Sequence, residues 1–207
     1  MVNNTLLIKQ MLSFDDKDDF YFVQIFKRRK DNPDLGKDQI VLDNFYIDSL
    51  DDFDKKLPYI ISICDKENAR AYIRVNKRNY RKLAPHFLKR VVDIVFTENC
   101  KALRNTFDSI AGEFHSDPDK KWIVDVDFAD FAPNTSLSTS TDEGILDKLL
   151  PLLKRLQLEA EREPLNDIIR TKNGLHIITR PFSVKTFREY YPKMDIHKDN
   201  PTILYCP

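Results

Sequence analysis

Residues 167–179 read Asp-Ile-Ile-Arg-Thr-Lys-Asn-Gly-Leu-His-Ile-Ile-Thr. Two short runs rich in β-branched residues, Asp167 to Thr171 and Leu175 to Thr179, are joined through Lys172-Asn173-Gly174. The pattern predicts a β-hairpin, with Asn-Gly as a type I′ turn because both residues tolerate positive φ. A hairpin makes its two strands antiparallel neighbours. It therefore favours an α+β sheet over a doubly wound parallel one. The chain shows no internal repeat and no G-x-G-x-x-G or G-x-x-x-x-G-K-[ST] phosphate loop.

Working outward, Trp122 to Phe128 is the clearest strand, and a polar Ser/Thr-rich loop follows it from Asn134 to Thr141. Ile145, Leu146, Leu149, Leu150, Leu153 and Leu156 then form an apolar stripe at helical spacing. Beyond the hairpin, Ser183 to Tyr191 reads as helix and Thr202 to Tyr205 as a final strand. Upstream, Phe20 to Phe26 reads as a strand, followed by the basic run Lys27, Arg28, Arg29, Lys30 and the turn signal Asp31-Asn32-Pro33-Asp34. Ser49 opens a helix with Asp52 as its capping-box partner, and Leu50, Phe53, Leu57, Ile60, Ile61 and Cys64 mark its face. Pro58 is expected to kink or shorten it. Ala71 to Val75 is a short strand. Asn79 to Val95 is a helix containing Pro85, and Leu103, Phe107, Ile110 and Phe114 mark another.

The 207 residues suit one large domain or two small modules sharing a core. Lys plus Arg equals Asp plus Glu, so the chain carries no global basic charge. Contact with nucleic acid must then come from local patches. Cys64, Cys100 and Cys206 are widely spaced and include no C-x-x-C pair, which fits a reduced compartment, with the cytoplasm expected, and offers no zinc site. No signal peptide and no membrane span is read.

Three constellations carry chemistry. Asp125 and Asp127 stand two apart on a strand, hence on one face with Ile123, while Val124, Val126 and Phe128 point to the other face, onto helices. Two carboxylates ~5 Å apart repel by about 3 kcal/mol at an effective dielectric near 20. A divalent cation between them relieves this, and oxygen ligands favour Mg²⁺ or Mn²⁺. The competing reading is two solvated acids. His176, Ile178 and Arg180 share a face of the next strand, with Lys172 nearby, which makes a cradle for anions. A lone His on a strand is more often structural, and His86, His115 and His197 have no better case. The tail Met194-Asp195-Ile196-His197-Lys198-Asp199 supplies further acids. Separately, Arg74, Asn76, Lys77 and Arg78 make a basic patch beside a strand that suits a nucleic-acid backbone, or else a solvated strand end.

The order of these elements resembles the archaeo-eukaryotic primase superfamily, including the primase-polymerases of phages and plasmids. Its three motifs correspond here to Val124-Asp125-Val126-Asp127, to Asn173/Gly174-Leu175-His176 and to Met194-Asp195. The motif-bearing part covers about residues 121–205. The resemblance implies an RRM-like catalytic sheet with helices on one face (116–207), preceded by an N-terminal α/β module (1–115), the two forming one catalytic domain. It implies template-directed nucleotidyl transfer with two divalent metals, Mg²⁺ or Mn²⁺, on Asp125, Asp127 and Asp195. His176 would bind the phosphates of a nucleoside triphosphate, with Lys172, Arg180 and Lys198 as weaker candidates. Arg74, Asn76 and Arg78 would meet a single-stranded DNA template.

The sequence departs from the family in two respects. It holds no cysteine-rich zinc element and no helicase segment, so a helicase is expected in trans or in a longer chain of which this is the core. Whether the chain starts strands, extends primers or has lost activity stays open. For the third acid, Asp195 enters a strand whereas Asp199 suits a turn, which favours Asp195. Two other classes compete: a non-catalytic nucleic-acid-binding module, and a metal-dependent phosphodiesterase or nuclease using the same acids.

Overall fold

The computed structural model describes residues 1–114, 117–131 and 142–207. His115 and the loop from Asn134 to Thr141 fall outside the described residues. The elements in chain order are β1 (Val2–Asn3), α1 (Thr5–Met11), β2 (Asp19–Arg28), β3 (Gln39–Ile47), α2 (Leu50–Glu67), β4 (Arg70–Arg74), β5 (Arg78–Asn79), α3 (Tyr80–Phe96) and α4 (Thr106–Glu113). Then come β6 (Trp122–Asp127), α5 (Asp142–Glu159), β7 (Asp167–Arg170), β8 (Gly174–Thr179), α6 (Val184–Tyr190), β9 (Asp195–His197) and β10 (Pro201–Cys206). The fold is α+β, with two antiparallel sheets. Among the described residues no helix is long and apolar enough to cross a membrane.

The first sheet runs β1-β10-β4-β2-β3, with β5 paired to β2. β2 is apolar on both faces, as a covered central strand should be. Tyr21, Val23 and Ile25 point into a core with α1 and α2, while Phe20 and Phe22 meet Leu83, Ile110 and Ala111 of α3 and α4. Beyond Phe22 that second face is no longer roofed, and Gln24, Phe26 and Arg28 line a cleft.

The second sheet runs β7-β8-β6-β9, so the β6–α5–β7–β8–α6–β9 segment places its first and third strands in the middle. Val124, Val126, Leu175 and Ile177 face α5 and α6 through Ile145, Leu149, Leu153, Leu156 and Phe187. The opposite face begins as core: Ile123, Ile169 and Ile178 join the cluster under the first sheet. Two residues further along β6, about 7 Å, the same face opens at Asp125.

Several expectations are corrected. The final strand, β10, does not belong to the second sheet. It lies between β1 and β4 in the first, so residues 116–207 are not a self-contained module. The hairpin forms, but not through a type I′ turn, because neither Asn173 nor Gly174 has positive φ. Lys172 and Asn173 span the turn, and Gly174 opens β8. Its lack of a side chain serves close packing instead, since a Cβ there would overlap the Val126 carbonyl oxygen. Pro58 and Pro85 do not break α2 and α3. Both are solvent-exposed, where water can take the freed carbonyl. Ser49 does cap α2, accepting from the Asp52 amide at 3.0 Å, while the Asp52 carboxylate takes the Asp48 amide instead of that of Ser49. The segment carrying Leu103 is a short 3-10 turn that precedes α4.

Asp31, at the tip of the β2–β3 hairpin, is an electrostatic clasp. Arg70 grips it through two bonds of 2.7 Å and Lys172 through a third. The Arg70 hydrogen bonds outweigh burial and, with Lys172, lower the carboxyl from 3.8 to about 2. The unfolded chain takes up the proton first as pH falls, so this stabilisation is complete above about pH 4 and lost towards pH 2. It amounts to about 2 kcal/mol. Asp31→Asn should therefore flatten the acid limb: urea unfolding at pH 5 and pH 2 should differ by about 2 kcal/mol less than in the wild type. An unchanged limb would mean the clasp contributes nothing.

Candidate active site

Strand register builds the site. On β6, Asp125 stands directly opposite His176 of β8 on one side and Asp195 of β9 on the other. Directly opposed residues in antiparallel strands project to the same face. Asp127 lies on that face as well, opposite Gly174. Three carboxylates and two imidazoles, His176 and His197, which lies opposite Ile123, thus share one face at the end where the sheet is open.

The charges there are arranged around Asp125, which is half-buried. His176 Nε2 lies 3.5 Å from one carboxylate oxygen and His197 Nε2 3.7 Å from the other. Burial pushes the Asp125 carboxyl up, but the facing imidazoles, His197 foremost, outweigh it and leave its pKa below the ordinary value. The Asp125 carboxylate in turn raises His197. His176 goes the other way, because burial lowers its pKa more than Asp125 can restore. His176 Nδ1 is 2.8 Å from the hydroxyl of Thr202 on β10, which fixes the ring at the seam between the sheets. Asp127 is exposed and accepts the Ala129 amide at 3.0 Å, and Asp195 is exposed.

Asp125, Asp127, His176 and His197 open into a cleft of about 510 Å³, whereas Asp195 lies outside its lining. Its other wall is the unroofed face of the first sheet: Gln24, Phe26, Arg28, Tyr72 and Arg74, with Lys30 at the rim. Arg28 donates to the Tyr72 hydroxyl at 2.9 Å. Among the described residues no carboxylate pairs with Arg28 or Lys30, and the buried Arg74 Nε has no hydrogen-bond partner. A face of acids therefore looks across the cleft at a face of cations.

The oxygen donors suit a hard divalent cation. However, among the described residues no three His, Cys, Asp or Glu side chains converge closely enough to hold a metal ion. Asp125, Asp127 and Asp195 share a face without forming a finished ligand set, and His197 stands where a cation would compete for Asp125.

Other candidates lie elsewhere. Arg180 is beyond the end of β8, gripping Asp119 at 2.9 and 3.1 Å. Ile178, between it and His176, is fully buried, so the face the three were expected to share closes there. Lys198 lies over the Trp122 ring, 5.2 Å from its centroid. Lys172 does line the cleft, but its charge is spent on Asp31. Asn76 and Arg78 are fully buried and cannot meet a nucleic-acid backbone. Arg78 bonds Asp199 at 2.7 Å and the Ala111 carbonyl at 2.8 Å. Asn76 bonds the Lys121 carbonyl and Asp199. Arg74 also reaches the Asp199 carboxylate, at 3.6 Å, but keeps an edge in the cleft. Asp199 is thus the counter-ion of a buried joint, whereas Asp195 sits beside Asp125.

Sequence reasoning missed His197, Arg28 and Lys30 as parts of the site. For His197 and Arg28 the signal existed. Asp195-Ile196-His197 alternates polar and apolar, and Gln24, Phe26 and Arg28 recur at strand spacing. No family model, no curated protein and no solved structure matches this chain.

Proposed function

We propose that the chain is a template-directed nucleotidyltransferase of the primase or primase-polymerase kind. The observation that carries the reading is the register that sets Asp125 between His176 and Asp195, on a face that opens towards Arg28, Lys30 and Arg74. The β–α–β–β–α–β order, with the first and third strands central, lends support to the RRM-like sheet that the resemblance implies. Asp125, Asp127 and Asp195 would hold Mg²⁺ or Mn²⁺, which when bound supplies charge neutralisation at a transferring phosphoryl group. His176, neutral near pH 7 and held by Thr202, presents Nε2 to the cleft as a phosphate contact. Arg28 and Arg74 supply cations for the polyphosphate or the template backbone. A helicase, if one is needed, acts in trans or belongs to a longer chain.

The test is incorporation of labelled nucleotides on a single-stranded DNA template with Mg²⁺ or Mn²⁺. Incorporation supports the reading, while template degradation without triphosphates would replace it with a phosphodiesterase. Within the same reading, His176→Ala should weaken triphosphate binding by about 1.5–3 kcal/mol, roughly 10- to 150-fold. Titration calorimetry with the triphosphate, beside a thermal melt, separates a lost phosphate contact from a lost fold.

One observation favours a second reading. The three acids do not converge into a ligand set, which suits a non-catalytic module that binds single-stranded nucleic acid in the same cleft. Such a module would bind the template equally well in excess chelator and incorporate nothing.

A further inference from the structure

Helix α3 carries apolar side chains on two sides, among the charged positions Arg81, Lys82, Lys89, Arg90 and Asp93, yet only one of these sides is covered. Over its 17 residues Leu83 alone is buried. Phe87 packs on the cluster around Phe20, and Val91 and Ile94 are half-buried on the same side. On the other side Leu88 is 64% exposed, Val92 43%, Val95 53% and Phe96 84%. At about 100° per residue these four lie within roughly 100° of one another, forming a stripe along the outward face. An apolar arc wider than the face a helix buries leaves apolar surface in water. A contiguous exposed apolar stripe on a polar surface marks an interaction site.

We propose that a second copy of this chain covers the stripe, with α3 packed antiparallel against itself about a two-fold axis at Val92. The stripe is self-complementary about that point. Leu88 and Phe96 are equidistant from Val92, so the Leu88 side chain meets Phe96 of the partner subunit, twice by symmetry. Val92, the smallest shape at the centre, meets its own equivalent and allows close approach. The charges agree with the same axis. Lys89 and Asp93 lie side by side along one flank of the stripe, and neither has an ion-pair partner among the described residues. An antiparallel two-fold brings matching flanks together, so Lys89 lies within reach of Asp93 of the partner subunit, and Asp93 within reach of Lys89 of the partner subunit. An unrelated partner need not supply an acid and a base in this order, whereas a second copy does so by construction of the symmetry. The inference is independent of the catalytic reading.

The test is sedimentation velocity on the full chain across a concentration series. The wild type should show a concentration-dependent dimer. Val92→Arg, which sets two guanidinium groups on the axis, should be monomeric and still unfold cooperatively, with a melt that no longer rises with protein concentration, since Val92 packs on nothing inside the chain's own cores. Lys89→Asp and Asp93→Lys alone should each weaken the dimer, by about tenfold across the two symmetric pairs. The double exchange should restore it. A wild type that stays monomeric at its highest soluble concentration would overturn the proposal. So would a dimer indifferent to Val92→Arg, or a double exchange that fails to recover association.

Discussion

Asp125→Asn should abolish nucleotide incorporation, with a loss of at least about a thousandfold, while the chain stays folded. Asn keeps the shape of Asp but removes the charge, and Asp125 is the carboxylate to which both neighbouring strands bring a polar partner. Asp127 and Asp195 are more exposed and have no imidazole so near. The same variant has a readout that does not depend on turnover. Asp125 raises the pKa of His197. In the wild type, therefore, the stability that this pair contributes is complete below the ordinary histidine value and lost as pH rises through the raised one. Removing the carboxylate should move the His197 imidazole titration, followed by NMR, to lower pH. His176, held low by burial, should stay below it. Wild-type incorporation by Asp125→Asn would end the catalytic proposal. An unmoved His197 titration would show that the pair does not form.

Asp199→Ala should destabilise the fold by about 3–5 kcal/mol, as removal of one partner from a buried ion pair does. Arg78 has no exposed surface, and Arg74 is largely covered beside it. Two guanidinium groups then share one carboxylate. Burial first, and the neighbouring Arg78 second, already lower the pKa of Arg74. Without Asp199 both cations remain in the interior, and Arg78 keeps only carbonyl acceptors. Urea unfolding measures the loss. If Asp199→Ala unfolds like the wild type while template binding falls, then Arg74 serves nucleic acid and not the joint.

The sequence makes most strands and helices legible because their apolar periodicity is strong: β2, β6, β8 and the α5 stripe all lie where the pattern places them. β3 escaped, since an edge strand whose first three residues are exposed has little apolar pattern to betray it. Asp125, Asp127, His176 and Asp195 meet on one face because strand alternation is a local property. What the sequence hides is pairing between distant segments. Nothing near Arg78 announces Asp199, 121 positions away. Nothing near Lys172 announces Asp31, and nothing local says that β10 leaves the sheet that β9 belongs to. Basic residues beside a strand look alike whether they meet solvent or a buried carboxylate. Only the tertiary partner separates Arg28, which lines the cleft, from Arg78, which does not.

The position of β10 governs the order in which the molecule can assemble during synthesis. β4 and β1 are both made early, yet the ribbon that joins them emerges only after the whole β6–β9 segment has been translated. Until then β4 presents an unsatisfied row of amides and carbonyls, the kind of open flank that recruits stray strands from other chains. The nascent first sheet must wait for its last element, and closure over so long a loop is slow. This sheet should thus close only once β10 has been made, and the half-made chain should be the species most prone to stick to its neighbours.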